Sequence, residues 1–377
     1  MSQFSSIYGQ APAVAALRRA LASNQLPGCY LLVGTPGVGK GAMARALAQA
    51  ACCLSPIVEP ATEFDSCGTC SSCRMAEAGT HPEIITFLPS GEATQIWQFW
   101  ERDNKPGSGA LSRTMAYAPS IGKRRVYIVE RAETLTESAA NSLLKVLEEP
   151  PPYALFILAA PHQARVLPTI FSRSQTVRLN ASPRAGLEQF LVSTTACNPE
   201  TASLLASISE GRTGYAVRMA LSPAVGTEIE RILEFAETLP TAPRVRALKI
   251  AEQMRKLAVQ VKALIGEEPS AAEDPADGEG GSAKEKTSRR QLAALFDLLM
   301  AYYRDLVACS AANPQQMVDV HIINSNRIDH LLRLAAGSSA SRWMRCLDAL
   351  TVARRRLDAN ANVALVTEVL AMTLVEP

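Results

Sequence analysis

The sequence lacks the segments that carry a protein into or across a membrane. It has no long uncharged apolar run, so no transmembrane helix is expected. Its first ten residues, MSQFSSIYGQ, contain no basic region followed by an apolar stretch, so a secretory signal is not expected either. These absences favour a cytoplasmic protein, in which the nine cysteines are metal ligands or core residues rather than disulfides.

The sequence also lacks a surplus of charge of either sign. Lysine and arginine number 38 and aspartate and glutamate number 36, which leaves a net charge of +2. This balance argues against a protein that wraps nucleic acid by bulk charge, although it is compatible with one basic face. The 377 residues exceed what a single hydrophobic core usually serves, so two or three domains are expected.

A hydroxyl is missing from an otherwise complete phosphate-loop pattern. The stretch GTPGVGKG, 34–41, lies between an apolar strand-like run and an Ala- and Leu-rich helical pattern, the context that G-x-x-x-x-G-K-[ST] requires. Gly41 stands where a Ser or Thr would hold Mg²⁺. Binding of ATP or ADP therefore stays possible, whereas hydrolysis is expected to be weak. A chance glycine-rich turn is the alternative. The expected phosphate-binding residues are Gly34, Gly37, Gly39, Lys40 and Gly41.

The second half of a hydrolytic site is altered as well. Glu130 and Arg131 follow the strand-like VYIV at 126–129, where two acids would support Mg²⁺ and orient the attacking water. Glu130 suits the first role and is a further nucleotide-binding candidate. Arg131 cannot take the second role, because a guanidinium accepts no proton. Unless the two residues are only a solvated surface pair, the site is not expected to turn over, and the chain alone is not expected to hydrolyse ATP.

Three cysteines in CGTCSSC have the C-x₂-C-x₂-C spacing of a metal site. A fourth thiolate is available near the end of the preceding helix, at Cys53 or Cys52. Four thiolates suit a structural Zn²⁺ in a closed tetrahedral site, which binds and positions rather than catalyses. An iron–sulfur cluster uses the same ligand type, and unmetallated thiols are the remaining alternative. The predicted zinc ligands are Cys53, Cys67, Cys70 and Cys73.

The order of strand and helix patterns predicts the fold class. Strand-like runs occur at 29–34, 83–90, 126–129, 154–160 and 174–179. Helical patterns such as 40–53 and 137–149 lie between them, which predicts an α/β P-loop module with a parallel sheet covered on both faces. After about residue 182 the pattern is helical throughout. An acidic segment rich in Pro and Gly, 266–288, is expected to be a disordered loop.

Several of these stretches together resemble the AAA+ subunits of the bacterial DNA polymerase III clamp loader. The segments that carry the likeness are NSLLKVLEEPP (141–151), CGTCSSC with Cys53, LPTIFSRSQTVRL (167–179), and ARRRLDANANVALVTEVLAMTL (353–374). The resemblance covers almost the whole chain. It implies an AAA+ module with a zinc insertion over 1–182, a small helical lid over 183–224 and a helical collar over 225–377.

The resemblance also implies a role for the chain. In this family the motor class keeps the hydroxyl and both acids and hydrolyses ATP, whereas the delta-prime class is a stator with a decayed nucleotide site. Gly41, Arg131 and the delta-prime-like segment AGTHPEI (78–84) favour the stator. The implied partners are the motor subunits and the delta subunit, with the sliding clamp and primed DNA reached through the complex.

Arg173, in FSRS, matches the arginine that the stator lends to the ATP of a neighbouring subunit. A planar guanidinium suits this role because it stabilises charge spread over a γ-phosphate. From the residues alone, an ordinary surface arginine at the start of a strand is the alternative. Active members of the family also carry an arginine after the EGRTG segment. Gly214 stands at about that place here, and Arg218, one turn on, is not expected to replace it.

Two rival functions remain. An ATP-hydrolysing motor subunit of the same complex predicts turnover that needs Lys40 and Glu130. A P-loop kinase for a small molecule predicts a substrate pocket near the loop and no need for partners, and the long helical C-terminal part argues against it.

Overall fold

The computed structural model describes residues 3–59, 63–91, 93–101, 108–260, 280–311, 322–324 and 327–375. These residues form two compact units. The first unit contains the described residues up to 183 together with Gly211–Gly214, and the second contains the other described residues. None of the helices in the described part of the chain has the length and apolar character needed to cross a membrane.

The first unit is built on a parallel sheet of five strands in the order β4-β5-β6-β1-β7. Its strands are β1 (Cys29–Val33), β4 (Ile84–Phe87), β5 (Arg125–Val129), β6 (Ala154–Ala160) and β7 (Gln175–Arg178). A separate antiparallel pair consists of β2 (Ile57–Glu59) and β3 (Glu63–Asp65). The central strands β1, β5 and β6 are buried at every position, which matches their unbroken apolar sequences.

Helices cover both faces of this sheet. They are α1 (Ala11–Ala22), α2 (Lys40–Cys52), α3 (Ser71–Glu77), α4 (Ile96–Phe99), α5 (Ala110–Met115), α6 (Glu137–Glu148) and α7 (Pro168–Phe171). Successive side chains of a strand point to opposite faces. In β1, Tyr30 and Leu32 therefore join α1 and α2 in one core. Leu31 and Val33 join α6 and α7 in the other.

The second unit is helical in its described residues. The helices after the sheet are α8 (Arg184–Thr195), α9 (Pro199–Ile208), α10 (Thr213–Ala220), α11 (Val225–Thr238), α12 (Ala247–Gln260), α13 (Gly280–Ala311), α14 (Ile328–Ala336), α15 (Ala340–Asp358) and α16 (Val363–Leu374). Helix α13 packs along α15, and α12 packs on α16. Fully buried aromatic side chains, among them Tyr302, Tyr303 and Trp343, fill this core.

The expected parallel α/β sheet with helices on both faces and the expected helical C-terminal part are confirmed. The expectation of a disordered segment over 266–288 falls partly outside the described residues, namely at 266–279. It is wrong for 280–288, which form the first turns of α13, because Ala, Lys and Glu in this stretch are good helix formers. The division of the helical part at 224 stays a prediction.

Candidate functional site

The phosphate-loop pattern forms a tight turn between β1 and α2. Gly37 and Gly39 have φ angles of 83° and 109°, in the left-handed region that favours glycine, and Gly39 is the N-cap of α2. A Cβ at Gly34 would lie 2.5 Å from the carbonyl oxygen of Leu179, so only glycine fits there. The loop therefore presents backbone N–H groups and a helix N-terminus, which together suit an anion such as a phosphate.

Lys40 begins α2 and bends back over this loop. Its Nζ donates to the carbonyl oxygens of Gly34 at 2.6 Å and Thr35 at 3.1 Å. Burial lowers the pKa of Lys40, and the carboxylate of Glu133 acts in the opposite direction. The ammonium group is thus held at the phosphate end of the loop by two carbonyls, and an incoming phosphate can take their place.

The position of the missing hydroxyl is occupied by an ion pair. A Cβ built on Gly41 would lie 3.3 Å from Nη1 of Arg45 and 3.3 Å from Oε1 of Glu130. Arg45 Nη1 itself lies 3.3 Å from Glu130 Oε1. The carboxylate predicted to support Mg²⁺ is therefore paired with a cation of the protein, and the described residues here do not form a set of oxygen ligands for Mg²⁺.

The residues after β5 differ from an active hydrolytic site in a second respect. Arg131 has a φ of 58° and starts the short turn 132–134, so no carboxylate follows Glu130. Glu133 is the next acid along the chain, and its Oε2 is buried without a hydrogen-bond partner among the described residues. Its electrostatic effect on Lys40 places a carboxylate near the loop, although not at the position of the second acid.

Gly214 lies directly against the phosphate loop. A Cβ at this residue would be 3.0 Å from the carbonyl oxygen of Gly37 and 3.3 Å from the Cα of Gly39. Ser182, whose hydroxyl bonds that of Thr213 at 2.8 Å and whose N–H donates to the Gly211 carbonyl, holds this segment in place. Gly214 thus brings backbone against the phosphate loop and contributes no side chain there.

Arg173 lies on an exposed turn between α7 and β7. Its Nη1 donates to the Thr169 carbonyl at 3.0 Å, and its Nη2 forms an ion pair with Glu148 at the end of α6. The next residue, Ser174, donates to the Ile170 carbonyl at 2.7 Å and lies 3.2 Å from the sulfur of Cys29 in β1. The backbone that carries Arg173 is therefore anchored to the sheet, while one third of its side chain stays exposed.

Arg173 and the phosphate loop lie at opposite edges of the sheet. Strands β1 and β7 are parallel, with Tyr30 opposite Gln175 and Val33 opposite Arg178. Arg173 precedes β7, at the amino ends of the strands, whereas the loop follows β1 at their carboxyl ends. The five residues of β1 span about 16 Å between the amino ends of the strands, near Arg173, and their carboxyl ends, near the loop. An arginine side chain cannot bridge that distance, so Arg173 does not serve the loop of its own chain.

The four predicted cysteine ligands come together at the end of α2. Their sulfur atoms all lie within 4.8 Å of one another. Cys53 Sγ is 3.6 Å from Cys67 Sγ, 3.9 Å from Cys70 Sγ and 3.6 Å from Cys73 Sγ. A tetrahedron with Zn–S bonds of about 2.3 Å has sulfur–sulfur edges of about 3.8 Å, so the four residues fit a zinc ion.

Backbone N–H groups support these sulfur atoms. The N–H groups of Cys67, Cys70 and Cys73 donate to the sulfurs of Cys53, Cys67 and Cys70 at 3.4, 3.3 and 3.4 Å. Such donors favour thiolates, the form that a metal requires. Cys52 lies outside the cluster: it is buried, and its sulfur contacts the Arg124 carbonyl at 3.5 Å. Of the two cysteines left open by the sequence, Cys53 is therefore the one in the cluster.

Comparison with known proteins finds similarity to DNA polymerase III subunits. A family model described as DNA polymerase III, delta subunit, matches residues 9–183. The DNA polymerase III subunit delta′ of Bacillus subtilis is 26% identical over 363 residues, which cover 96% of this chain and 94% of that protein. The chain is similar to a delta′ subunit of DNA polymerase III along nearly its full length, and the family model matches its sheet-containing part.

Other relatives cover less of the chain. The delta′ subunit of Pseudomonas aeruginosa is 35% identical over 144 residues, which cover 38% of this chain and 40% of that protein. The tau/gamma subunit of Haemophilus influenzae is 31% identical over 188 residues, half of this chain, and the chain covers only 25% of that subunit. The resemblance to the clamp-loader family seen in the sequence is thus confirmed, and its delta-prime class is matched along nearly the full length.

One buried histidine links the cysteine cluster to the sheet of the first unit. His81 is buried, and its Nδ1 accepts from the Glu83 N–H at 3.1 Å. Its Nε2 therefore carries the proton and faces the Ser72 hydroxyl at 2.9 Å, and Ser72 donates to the Cys52 carbonyl at 2.7 Å. Burial lowers the pKa of His81, which favours the neutral ring that these hydrogen bonds require.

Three residues at these sites were missed by the sequence reasoning. Arg45 follows Gly41 by four residues, the spacing that places two residues on one face of a helix, and this was the available signal. Glu148 lies in the LEEPP segment that was noted as a family motif, but nothing in the sequence pairs it with Arg173. Glu133 has no sequence signal, because its approach to Lys40 depends on the turn after β5.

Proposed function

We propose that this chain is the delta-prime, or stator, subunit of a DNA polymerase III clamp loader. It holds a hetero-oligomeric ring that places the sliding clamp on primed DNA, and it contributes Arg173 to the ATP bound by a neighbouring motor subunit. Its own phosphate loop does not catalyse hydrolysis. Its partners are the motor subunits and the delta subunit, and it works in the cytoplasm, where DNA is replicated.

The observation that carries this proposal is the position of Arg173. The side chain is one third exposed and lies about 16 Å from the level of its own phosphate loop, measured along β1. A guanidinium in this place can meet a phosphate only if that phosphate belongs to another subunit. Its planar fork of donors stabilises the charge that spreads over the transferring phosphoryl group.

The altered loop supports the non-hydrolytic half of the proposal. Hydrolysis of ATP needs a metal that neutralises the phosphates and a group that orients water. Gly41 supplies no hydroxyl, Glu130 is bound by Arg45, and Arg131 cannot act as a base. The loop with Lys40 nevertheless has the N–H groups and the ammonium that hold phosphates, so we include ATP or ADP as a bound ligand that is not consumed.

Zinc is the third element of the proposal. We infer that Cys53, Cys67, Cys70 and Cys73 hold one Zn²⁺, which fits their sulfur–sulfur distances. With four protein ligands the ion has no open position and fixes the segment between α2 and α3 instead of activating water. His81 then transmits that fixed position to β4 through the Glu83 N–H.

The proposal is tested by reconstituting the clamp loader with purified subunits and measuring its DNA-stimulated ATPase. Arg173→Ala is expected to lower the rate at the site it serves by at least about tenfold, since an arginine in this role contributes roughly 10³–10⁵ to the rate. Arg173→Lys keeps the charge but loses the planar fork, so most of the activity should still be lost.

The matched control is Arg19→Ala, an exposed arginine on α1 whose side chain, among the residues that the structure describes, donates to the Ala15 carbonyl of its own helix. It should leave the ATPase unchanged. A complex that contains Arg173→Ala, assembles normally and hydrolyses ATP at the wild-type rate would disprove the assigned role.

A further inference from the structure

The ion pair between Arg45 and Glu130 lies beside the phosphate loop and affects how that loop can bind a phosphate. Arg45 lies one turn after Gly41 in α2, and side chains of a helix lean toward its N-terminus. The guanidinium therefore reaches back to the place beside Gly41, with Nη1 and Nη2 at 3.3 and 3.7 Å from the Cβ position of that residue. A Ser or Thr at 41 would press on this group unless the Arg45 side chain moved by a few tenths of an ångström.

Arg45 also forms an ion pair with Glu130, whose carboxylate would otherwise be free to support a metal. Glu130 directly follows β5 at the carboxyl edge of the sheet, the same edge as the loop, and its Oε1 faces Arg45. Among the described residues, the hydrogen-bond partner of the Arg45 side chain is Glu130. A guanidinium has five N–H donors, so others remain available to a phosphate while one holds Glu130.

The surroundings leave the guanidinium accessible. The Arg45 side chain is 54% exposed, and that of Glu130 is 24% exposed. Lys40, five residues earlier, supplies the second cation, and its Nζ lies at the Gly34 carbonyl of the loop. Two fixed cations and the N–H groups of the loop can together balance a polyphosphate without a divalent ion.

We propose that Arg45 takes the place of magnesium at this site, so that the loop binds the phosphates of ATP or ADP in metal-free form. Mg²⁺ bound to the nucleotide would bring a second cation close to the Arg45 guanidinium, and the two like charges repel. Magnesium therefore does not strengthen nucleotide binding here and, in excess, weakens it. This inference goes beyond the role of Arg173 and is independent of it, because it concerns the loop of this chain alone.

The test is a calorimetric titration of the full purified chain with ATP, once in EDTA and once in millimolar Mg²⁺. The wild type should bind ATP at least as tightly in EDTA as in Mg²⁺. Lys40→Ala should abolish the signal, which shows that the measured binding is at the loop. Arg45→Ala should weaken metal-free binding by about tenfold, while the exposed control Arg19→Ala should leave it unchanged.

A second variant restores the metal site. Gly41→Thr combined with Arg45→Ala adds a hydroxyl and frees Glu130, so Mg²⁺ should now tighten ATP binding. The proposal is overturned if Mg²⁺ tightens binding to the wild type, if Arg45→Ala binds metal-free ATP as well as the wild type does, or if the folded wild type binds no ATP in either buffer. It is also overturned if Mg²⁺ does not change the affinity of the double variant for ATP. ATPase of the reconstituted complex, which reports on Arg173, is a separate measurement.

Discussion

The guanidinium of Arg173 is paired with the carboxylate of Glu148, which ends α6 just before three prolines. Both side chains are partly exposed, with 33% and 49% of their surfaces accessible. The pair holds the arginine in one direction while leaving it open to solvent. Because fixing a long side chain in advance lowers the entropic cost of using it, Glu148 is a positioning residue for the proposed trans arginine.

Glu148→Ala should therefore lower the DNA-stimulated ATPase of the reconstituted complex. The expected loss is several-fold, smaller than that of Arg173→Ala, because the charge remains and only its orientation is lost. Glu149→Ala, an exposed neighbour, serves as the control. If Glu148→Ala raises the rate instead, the pair restrains the arginine and does not orient it.

Substitution of the cysteine cluster should release zinc. Cys70→Ser is expected to reduce bound zinc, measured by atomic absorption, from about one ion per chain to near zero, and to lower the midpoint of thermal unfolding. Cys52→Ala is the matched control: it lies next to Cys53 but outside the cluster, so zinc should stay. Retention of zinc by Cys70→Ser together with loss in Cys52→Ala would mean that the ligand set is wrong.

The isolated chain should not hydrolyse ATP above background. Gly41→Thr alone should not change this, because Arg45 still holds Glu130 and Arg131 still stands where a water-orienting carboxylate belongs. The measurement is phosphate release by the purified chain with Mg²⁺ and primed DNA. Brisk turnover that disappears in Lys40→Ala would instead favour the motor class.

Gly214→Ala should disturb the phosphate loop. The added methyl would lie 3.0 Å from the Gly37 carbonyl oxygen, and neither partner is a flexible side chain that can move away. We expect weaker ATP binding and a lower thermal midpoint, a loss of about 1 kcal/mol. Gly226→Ala, where a Cβ meets nothing within 4 Å, controls for the gain in helix propensity and should be neutral or stabilising.

Glu83 and Arg125 form a buried ion pair at the amino edge of the sheet, with Oε2 and Nε 2.6 Å apart and side chains 1% and 7% exposed. Burial acts to raise the pKa of Glu83, but hydrogen bonds from Arg125 and Ser120 outweigh it, and the pKa lies below its usual value. Glu83→Gln leaves Arg125 without its counter-charge and should cost about 3–5 kcal/mol.

The same pair gives a pH dependence with a defined sign. A carboxylate with a depressed pKa in the folded state stabilises the protein above its unfolded pKa, about 4.3, and this contribution is lost as the pH falls through the folded value. The difference in thermal midpoint between wild type and Glu83→Gln should therefore be constant at neutral pH and shrink below about pH 4.3. A difference that grows on acidification would contradict this account.

The sequence was sufficient for features that depend on neighbours along the chain. The strand runs at 29–34, 126–129 and 154–160 are buried strands because their apolar patterns are continuous, and the glycine loop with Lys40 forms where the motif predicts it. The spacing of Cys67, Cys70 and Cys73 brings three sulfurs to one point because the segment between them is short. The resemblance to clamp-loader subunits likewise follows from local motifs.

Other features were decided only by the tertiary structure, because they join residues that are distant in the chain. The sequence predicted Cys53 as the fourth ligand but left Cys52 open, and the direction of each side chain at the end of α2 separated them. The pairing of Arg45 with Glu130 spans 85 residues, and no sequence pattern records it. The placement of Arg173 and the loop at opposite edges of one sheet follows from the parallel pairing of β1 with β7, since packing and strand order, not sequence separation, set that distance.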